Sequence, residues 1–394
     1  MTAKTFFLSV TVAASYLCAS AGIAEIVSSD TVITEETPSD TATVETTPSE
    51  WKLPEGTDIV RNSLRVSPDL GHILFLERGA ATIRGPQVLR QLFPSAYWIL
   101  NAKNSQLTNV LDTLGIDEGK GKLYCRPCGL SANGKYALVL AVRVEPAQIR
   151  NQKKKGYRAF VITLNSGAAH EIGENVAAAA WVGNEVVLSS FTGEGWDRKI
   201  GKIKVVDPED ESTSELNISG IIVCGHPDGR MLVCGCDKDD PAKATPIRNL
   251  GNAEMIVITK EGKILRRLGV VPPVGARPDQ LILSANGKYV AFREGRIERG
   301  RQPRNVKVRV MMTSGEQEWL LNETATPIGM TDDGRVITVG NVFEDEGAPV
   351  KIRDKNFNSR TVVGHAGAAT VVGDQLFYLT PGEPPLIKSI KLEL

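Results

Sequence analysis

The heptapeptide LSANGKY occurs twice in this chain, at residues 130–136 and again at residues 283–289. In both copies a short apolar run leads into an Asn-Gly pair, and a second apolar run follows it. Asn-Gly pairs supply the positive φ angles that tight hairpins need. Each copy therefore predicts two short antiparallel strands joined by a turn.

Looser copies of the same hairpin extend the repeat along the chain. They lie at residues 66–76, 181–191, 225–235, 330–340 and 371–381. A second strand pair is predicted after each hairpin, so each unit holds about four strands. Four-stranded units that repeat every roughly forty to sixty residues indicate a β-propeller, in which each unit is one blade. We expect an all-β fold of seven blades, or of six if residues 371–394 pack in another way.

The last repeat is one strand short of the others. It offers strands at residues 368–372, 375–379 and 386–392. We expect the missing strand to come from residues 51–60, just before the first hairpin. A ring closed by strands from both ends of the chain leaves no open sheet edge.

The first fifty residues are predicted to lie outside the propeller, which takes up residues 51–394. Residues 1–24 resemble a signal peptide, because Lys4 precedes the apolar run 6–17 and small residues surround Ala21 and Ala24. That run is short for a membrane span, although Cys18 leaves a lipid anchor as an alternative. Residues 25–50 are rich in Ser, Thr and Glu and are predicted to be a disordered tether. These features predict a secreted or periplasmic protein without a membrane span.

Charge and cysteine usage restrict the possible functions. The chain has 46 basic and 46 acidic side chains, so its formal net charge of zero does not indicate nucleic-acid binding. Beyond Cys18, the Cys-Arg-Pro-Cys run at residues 125–128 resembles a redox motif, but an extended strand would hold Cys125 and Cys128 too far apart for a disulfide. A bend at Pro127 would bring them closer, so the disulfide stays open at this point.

No catalytic set emerges from the sequence. The four histidines show no metal-ligand spacing, and no nucleophile elbow, phosphate loop or HExxH motif is present. The predicted innermost strands contain no Asp or Glu, so a cation in the central channel would lack oxygen ligands. We therefore predict no catalytic residue, no metal and no cofactor.

The long links between second and third strands are rich in basic residues. Residues 143–158 have a net charge of +5 and residues 293–304 one of +3. Such loops attract an anionic partner, and Tyr97, Trp98, Tyr157 and Trp196 border them as candidate anchors. Arg126, predicted to lie near the propeller axis, is a further candidate because a guanidinium binds a carboxylate through two hydrogen bonds. The predicted binding residues are Arg126, Arg143, Arg150, Lys153, Lys154, Lys155, Arg296, Arg299, Arg301 and Arg304.

The hairpin pattern resembles the WD-like repeats of TolB-type propeller proteins. Ser67-Pro68-Asp69 and the two Ser-Ala-Asn-Gly turns at residues 131–134 and 284–287 carry this resemblance, which covers residues 51–394. It implies the fold and says little about function. We expect a monomeric, non-catalytic propeller that binds a protein or other macromolecule through one loop face. The alternative is a lactonase-like or lyase-like enzyme acting on a sugar or acid in the channel.

Overall fold

The computed structural model describes the part of the chain that follows the predicted tether. It covers residues 50–60, 63–78, 94–116, 122–144, 156–193, 198–246, 253–269, 281–294, 307–315, 318–321, 325–340, 347–380 and 382–393. Within these ranges the single helical element is a 3-10 turn at Asp112–Leu114. No helix in the same ranges is long and apolar enough to cross a membrane. The predicted signal peptide, Cys18 and residues 25–49 lie outside the described residues.

The chain begins with one strand that belongs to its far end and then forms a four-stranded antiparallel sheet. The first five strands are β1 (Glu50–Lys52), β2 (Arg65–Val66), β3 (His72–Glu77), β4 (Ala96–Asn101) and β5 (Leu107–Asn109). Strand β1 pairs with the last strand of the chain, and β2 to β5 form the first sheet in sequential order.

The middle of the chain forms one long path of hydrogen-bonded strands. Its members are β6 (Lys122–Leu130), β7 (Tyr136–Val144), β8 (Tyr157–Thr163), β9 (Ala169–Val182), β10 (Glu185–Thr192), β11 (Lys199–Val206), β12 (Thr213–Gly225), β13 (Met231–Asp237), β14 (Thr245–Pro246), β15 (Ala253–Thr259) and β16 (Ile264–Arg267). The first half of β9 pairs with β8 and its second half with β10. Strand β12 divides in the same way between β11 and β13. The path therefore consists of four-stranded units in which β9 and β12 each belong to two neighbouring units. The short strand β14 pairs with β11 outside this path.

Three further antiparallel four-stranded sheets follow, two of them in sequential order and the last completed by β1. Their strands are β17 (Leu281–Leu283), β18 (Tyr289–Glu294), β19 (Lys307–Met312), β20 (Glu318–Leu321), β21 (Thr326–Met330), β22 (Val336–Val339), β23 (Ala348–Arg353), β24 (Ser359–Ala366), β25 (Ala369–Val372), β26 (Gln375–Thr380) and β27 (Leu386–Lys391). The all-β prediction, with antiparallel four-stranded units, is confirmed. The number of blades stays a prediction.

Strand β1 supplies the outer strand of the last sheet. Trp51 lies opposite Ile387, and Glu50 lies opposite Lys388. The strand starts one residue before the expected boundary and is shorter than expected, since Ile59 instead forms a bridge with Glu77 of the first sheet. The donor segment was therefore placed correctly, but only its first residues form the strand.

The first strands of neighbouring units lie against one another. Strand β2 contacts both β6 and β25, which belong to the units on either side of it. The other contacts of this kind are β6 with β9, β9 with β12, β12 with β17, β17 with β21 and β21 with β25. These contacts place the first strands of successive units side by side.

Apolar side chains fill the spaces between sheets, because most strands are buried on both faces. Phe75 on β3 and Phe377 on β26 are almost fully buried and share one cluster between the first and last sheets. Phe292 on β18 is equally buried in the cluster that joins its sheet to the preceding one. Burying one such side chain stabilises the fold by about 1.5–3 kcal/mol. All three phenylalanines lie on second strands, whose bulky side chains fill these spaces.

The repeated turns differ from the tight hairpins that the Asn-Gly pairs predict. Gly134 N–H donates to Ser131 O at 3.0 Å, and φ is +68° at Gly134 but not positive at Asn133. The buried Ser131 Oγ accepts a hydrogen bond from Tyr136 N–H at 3.0 Å and donates to Asn133 Oδ1 at 2.7 Å. The turn is therefore longer than the Asn-Gly pair alone, because Asn133 contributes its side-chain oxygen to a turn that Ser131 anchors.

Candidate functional site

The strand order gives the described units two different faces. In each antiparallel unit the links from first to second and from third to fourth strand lie together. Hydrogen bonds between such links, from Ala102 N–H to Gly71 O at 2.9 Å and from Leu164 N–H to Lys135 O at 2.9 Å, define the turn face. The links from second to third strand and those between units leave at the opposite edge, which we name the loop face.

Most of the predicted binding residues lie outside the described residues. These are Arg150, Lys153, Lys154 and Lys155 of the first basic insertion and Arg296, Arg299, Arg301 and Arg304 of the second. The same holds for Trp196 and for the acidic residues 344–346. Their role and their grouping stay a prediction. The described strand ends on either side of the insertions, however, show what surrounds them.

Arg126 occupies the first strand of its unit, as predicted. It lies opposite Leu140 of β7 and is half-buried. Strand β6 contacts both β2 and β9, so Arg126 lies in the row of neighbouring first strands. Its guanidinium is already engaged in an interaction inside the protein.

Two tyrosines stack beside Arg126 near the loop face. The rings of Tyr124 on β6 and Tyr157 on β8 lie 5.8 Å apart, tilted by 31°. Tyr124 lies opposite Val142 of β7, and alternation along β6 puts Tyr124 and Arg126 on the same side of the sheet. Tyr157 begins β8 directly after the insertion that contains Lys153–Lys155. Both residues are half-buried. This aromatic pair therefore lies at the root of the first basic insertion, next to the start of β8.

Arg143 differs from its prediction as a loop residue. It is part of β7, where it lies opposite Leu123. Its guanidinium donates to the Ile116 carbonyl oxygen through Nε at 3.3 Å and Nη2 at 3.2 Å. Strand β7 extends further than the sequence predicts, so Arg143 is a strand residue. Its hydrogen bonds to Ile116 hold the segment that connects the first sheet to β6.

Two of the candidate anchor residues are also placed differently from their prediction. Tyr97 is only 1% exposed, and burial raises the pKa of its hydroxyl group well above the ordinary value. Trp98 Nε1 donates to Glu77 Oε2 at 2.8 Å within the first sheet. Tyr97 is a core residue, so its assignment as an exposed anchor was wrong. Tyr157, in contrast, is only half-buried and lies at the loop face.

Arg293 lies at the loop face. In the sequence analysis it contributed only one of the positive charges of residues 293–304. It is the penultimate residue of β18, opposite Val308, and residues 295–306 follow this strand. Arg293 is half-buried, and no hydrogen bond or ion pair involves it among the described residues. Burial lowers the pKa of its guanidinium. Sequence patterns give no sign of this, because burial and the lack of a partner are tertiary properties.

The cysteines form no site in the described ranges. Cys125 and Cys128 are free thiols, and they lie against different apolar clusters on the two sides of β6. Burial raises the pKa of Cys125 and Cys224 well above the usual range and that of Cys236 to about 11. The sequence left open whether Cys125 and Cys128 form a disulfide, and the structure shows that they do not. Cys125, Cys224, Cys234 and Cys236 are buried, while Cys128 is half-buried.

The histidines act within turns or at the surface. His226 is 1% exposed, and its Nε2 donates to the Ser284 carbonyl oxygen of the next unit at 3.1 Å. Its Nδ1 faces the Asp228 carboxylate in the same turn. His226 thus takes the place that Ser131 holds in its own turn. Across the described residues, no group of three or more His, Cys, Asp or Glu side chains is arranged to hold a metal ion.

A cavity of about 700 Å³ opens on the turn face. It lies between the turns of two neighbouring units and is lined by charged residues, among them Glu185, Asp207, Asp228, Arg230, Lys260 and Glu261. Lys260 Nζ and Glu185 Oε2 form an ion pair at 3.0 Å, and Arg230 pairs with Asp228. Since both cations are already neutralised by neighbouring acids, this cavity is a weaker candidate than the loop face.

Comparison with known proteins supports the fold alone. No protein-family model matches the chain, and no curated protein does either. Solved structures do match. The β-propeller domain of the Trilobed protease from Pyrococcus furiosus is 14% identical, with a TM-score of 0.48, and the match covers 87% of this chain and 97% of that one.

Two further structures illustrate the range of proteins with this fold. A TolB-type protein from Agrobacterium tumefaciens is 14% identical over 68% of this chain and 82% of that chain, with a TM-score of 0.38. An oligogalacturonate lyase in complex with manganese is 11% identical over 88% of this chain and 90% of that chain, with a TM-score of 0.46. Propeller proteins, a TolB-type protein among them, are thus among the solved structures that match this chain.

Proposed function

We propose that this protein is a non-catalytic β-propeller that binds an anionic macromolecule, most simply an acidic protein surface, through its loop face. The proposal is carried by the half-buried Tyr124–Tyr157 pair on the strands next to Arg126. Tyrosine and arginine are enriched among the residues that dominate binding energy at protein interfaces. Here they stand where the insertion containing Lys153, Lys154 and Lys155 returns to the sheet.

The proposed body is a closed ring of seven blades. Its support is the cyclic order of contacts among first strands, in which β25 contacts both β21 and β2. The pairing of β1 with β27 gives the last sheet its fourth strand. In such a ring the two basic insertions belong to blades three positions apart, so Lys153–Lys155 and Arg296–Arg304 would flank the opening from opposite sides.

Electrostatic attraction would bring the partner to this face. Neither β6 nor β17 carries an Asp or Glu, and Arg126 lies on β6 and Arg293 on β18 beside β17. Exposed charges act over only about 10 Å at 0.1 M salt, so affinity should fall as salt rises. The aromatic pair would supply contact area that depends little on salt.

A capture experiment with matched variants tests the proposal. The purified protein is immobilised and exposed to a cell-envelope extract at low salt, and the captured protein is then titrated against each variant. We expect the Tyr124→Ala/Tyr157→Ala variant to lose at least tenfold in affinity. Replacing Lys153, Lys154 and Lys155 by Ala should weaken binding and flatten its salt dependence.

Tyr136→Ala is the matched control, because Tyr136 is also half-buried but begins β7 at the turn face. It should bind like the parent protein. If the parent captures only background proteins, or if all variants bind alike across a salt series, the loop face is ordinary solvated surface.

Export is proposed from the N-terminal sequence. The layout of residues 1–24 supports a cleaved signal peptide, which would deliver a monomer to the periplasm or the medium. Mass spectrometry of the protein from its native cells should find an N-terminus just after Ala21 or Ala24. Accumulation of the chain with Met1 intact in the cytoplasm would contradict export.

An enzyme acting in the channel is the second candidate function. The observation that favours it is Arg126 on a first strand, where a guanidinium can bind a substrate carboxylate. The protein would be incubated with a panel of lactones and acidic oligosaccharides, and Arg126→Lys would be the matched variant. Turnover that Arg126→Lys abolishes would support this function, whereas no turnover of any compound would count against it.

A further inference from the structure

Arg293 differs from the other half-buried arginines of the described chain. Arg78 pairs with Asp58 at 3.4 Å, and Arg158 pairs with Glu171. Every other half-buried or buried arginine in the described ranges likewise has a protein interaction; these are Arg65, Arg126, Arg143, Arg198, Arg309, Arg335 and Arg353. For Arg293 alone, no partner is found among the described residues.

The described neighbours of Arg293 on its side of the sheet are apolar. Two residues earlier on β18, Ala291 belongs to the cluster formed with Val308 and Val336, and side chains two apart share one side of a strand. Arg293 therefore lies on the side of its sheet that faces the β21–β24 sheet. Its Nε is buried without a hydrogen-bond partner, and burial alone accounts for the lowered pKa, with no contribution from a neighbouring acid.

A charge in this position destabilises the free protein. Partial removal of a guanidinium from water costs free energy, and only a hydrogen-bonded or ion-paired partner offsets the cost. Buried polar groups that stay unsatisfied in a fold are unusual and occur at ligand sites. An apolar side chain at position 293 would fit the neighbouring Ala291 and Val308 better.

We propose that Arg293 is an anion-binding residue of the loop face and receives a carboxylate group from the partner. This inference rests on the proposed function and gives it a defined chemistry. A planar guanidinium can hold both carboxylate oxygens at once. One unpaired cation in apolar surroundings neutralises a single negative charge, so a carboxylate fits better than a doubly charged phosphate.

The first test measures thermal unfolding in sodium chloride without a partner. Arg293→Met should unfold at a temperature about 1–3 °C higher than the parent, because it removes an uncompensated charge. Arg266→Met is the control, since Arg266 lies on the exposed strand β16, and it should leave the midpoint within about 1 °C. A lower midpoint for Arg293→Met would reveal a structural role for Arg293 and overturn the inference.

The second test uses small anions, at constant ionic strength and pH 7. Sodium acetate in place of chloride should raise the midpoint of the parent more than that of Arg293→Met, because a ligand stabilises the state that binds it. Arg266→Met should respond like the parent. Equal acetate responses in the parent and Arg293→Met would overturn the inference. A larger Arg293-dependent response to phosphate than to acetate would overturn the choice of carboxylate.

These tests separate the inference from the proposed function. If acetate acts through Arg293 while no macromolecule is captured, the anion site stands and the macromolecular function fails. If a captured partner binds Arg293→Gln as tightly as the parent, but not Tyr124→Ala/Tyr157→Ala, the proposed function stands and Arg293 is not its anion site. A loss of at least fivefold for Arg293→Gln, with none for Arg266→Gln, supports both.

Discussion

Trp51 Nε1 donates a hydrogen bond to the Ala102 carbonyl oxygen at 2.9 Å, and this bond links the last sheet of the chain to the first. Trp51 also stacks on Phe377, with ring centroids 6.0 Å apart and an angle of 29°. Strand β1 has only three residues, so its own backbone pairing is limited. The Trp51 side chain is therefore a main contact that holds the two ends of the fold together.

Substitution of Trp51 should weaken this connection in two steps. Trp51→Phe keeps an aromatic ring but loses the hydrogen bond, and it should lower the free energy of unfolding by about 1 kcal/mol. Trp51→Ala also loses the ring contact and should cost about 2–3 kcal/mol. Urea denaturation measures both values. Lys52→Ala, at an exposed position of the same strand, should change little, and equal midpoints for Trp51→Ala and Lys52→Ala would exclude the proposed role.

Gly225 should tolerate no side chain, because two first strands approach closely there. A Cβ atom at Gly225 would lie 1.9 Å from the Trp181 carbonyl oxygen. Gly225→Ala must push β9 and β12 apart and should destabilise the protein by more than about 2 kcal/mol. Gly364→Ala is the control, since nothing lies within 4 Å of a Cβ at that position. A folded Gly225→Ala protein as stable as Gly364→Ala would show that the two strands are further apart than described.

The turn serines should contribute to stability through their buried hydroxyl groups. Ser284 Oγ accepts a hydrogen bond from Tyr289 N–H at 3.0 Å and donates to Asn286 Oδ1 at 2.8 Å. Ser284→Ala leaves that buried N–H without its partner and should cost about 1–3 kcal/mol. The exposed Ser359 on β24 offers a control, and Ser359→Ala should stay within about 0.5 kcal/mol of the parent. Chemical denaturation would show whether the two variants differ.

Asp228 should make stability depend on acid. Burial raises its pKa, but hydrogen bonds from Arg230 and His226 outweigh burial, so the net pKa lies below the ordinary value of 3.8. A carboxyl group whose pKa falls on folding stabilises the protein above its unfolded pKa, and this contribution is lost as the pH falls through its folded pKa. Asp228→Asn should therefore be less stable than the parent at pH 7, and the difference should shrink below about pH 4. A difference that stays constant from pH 7 to pH 3 would contradict this account.

The thiols should react according to their burial. Cys125, Cys224, Cys234 and Cys236 are buried, whereas Cys128 is half-buried. A thiol-specific alkylating reagent should label Cys128 first in the native protein and the others only after unfolding, because buried thiols are inert. Peptide mass mapping identifies the labelled residues. A peptide in which Cys125 and Cys128 are joined by a disulfide would refute the free-thiol assignment.

The repeat allowed the fold to be predicted because it is a local signal. The turn sequence Ser-Ala-Asn-Gly specifies a hairpin from its own side-chain and backbone hydrogen bonds, so both copies form where the sequence predicts them. The exact turn was missed, since the anchoring by Ser131 depends on burial of its hydroxyl group. The extent of strands was also missed at Arg143, because pairing with β6 extends β7 beyond its apolar run.

The candidate site was only partly predictable. Sequence alone identified the basic insertions and placed Arg126 on a first strand, because charge and strand order can be read along the chain. It did not predict the contact between Tyr124 and Tyr157, which are on different strands, or the burial that makes Tyr97 a core residue.

The sequence by itself thus determined the repeating four-strand units, their turns and the basic character of the insertions, since each depends on neighbouring residues. Only the tertiary structure decided which charges find partners. Arg158 is paired, whereas Arg293 has no partner among the described residues, although both are arginines at the ends of basic insertions. Whether an acid lies within reach depends on strand register and on the packing of neighbouring sheets, which arise only when the whole chain folds.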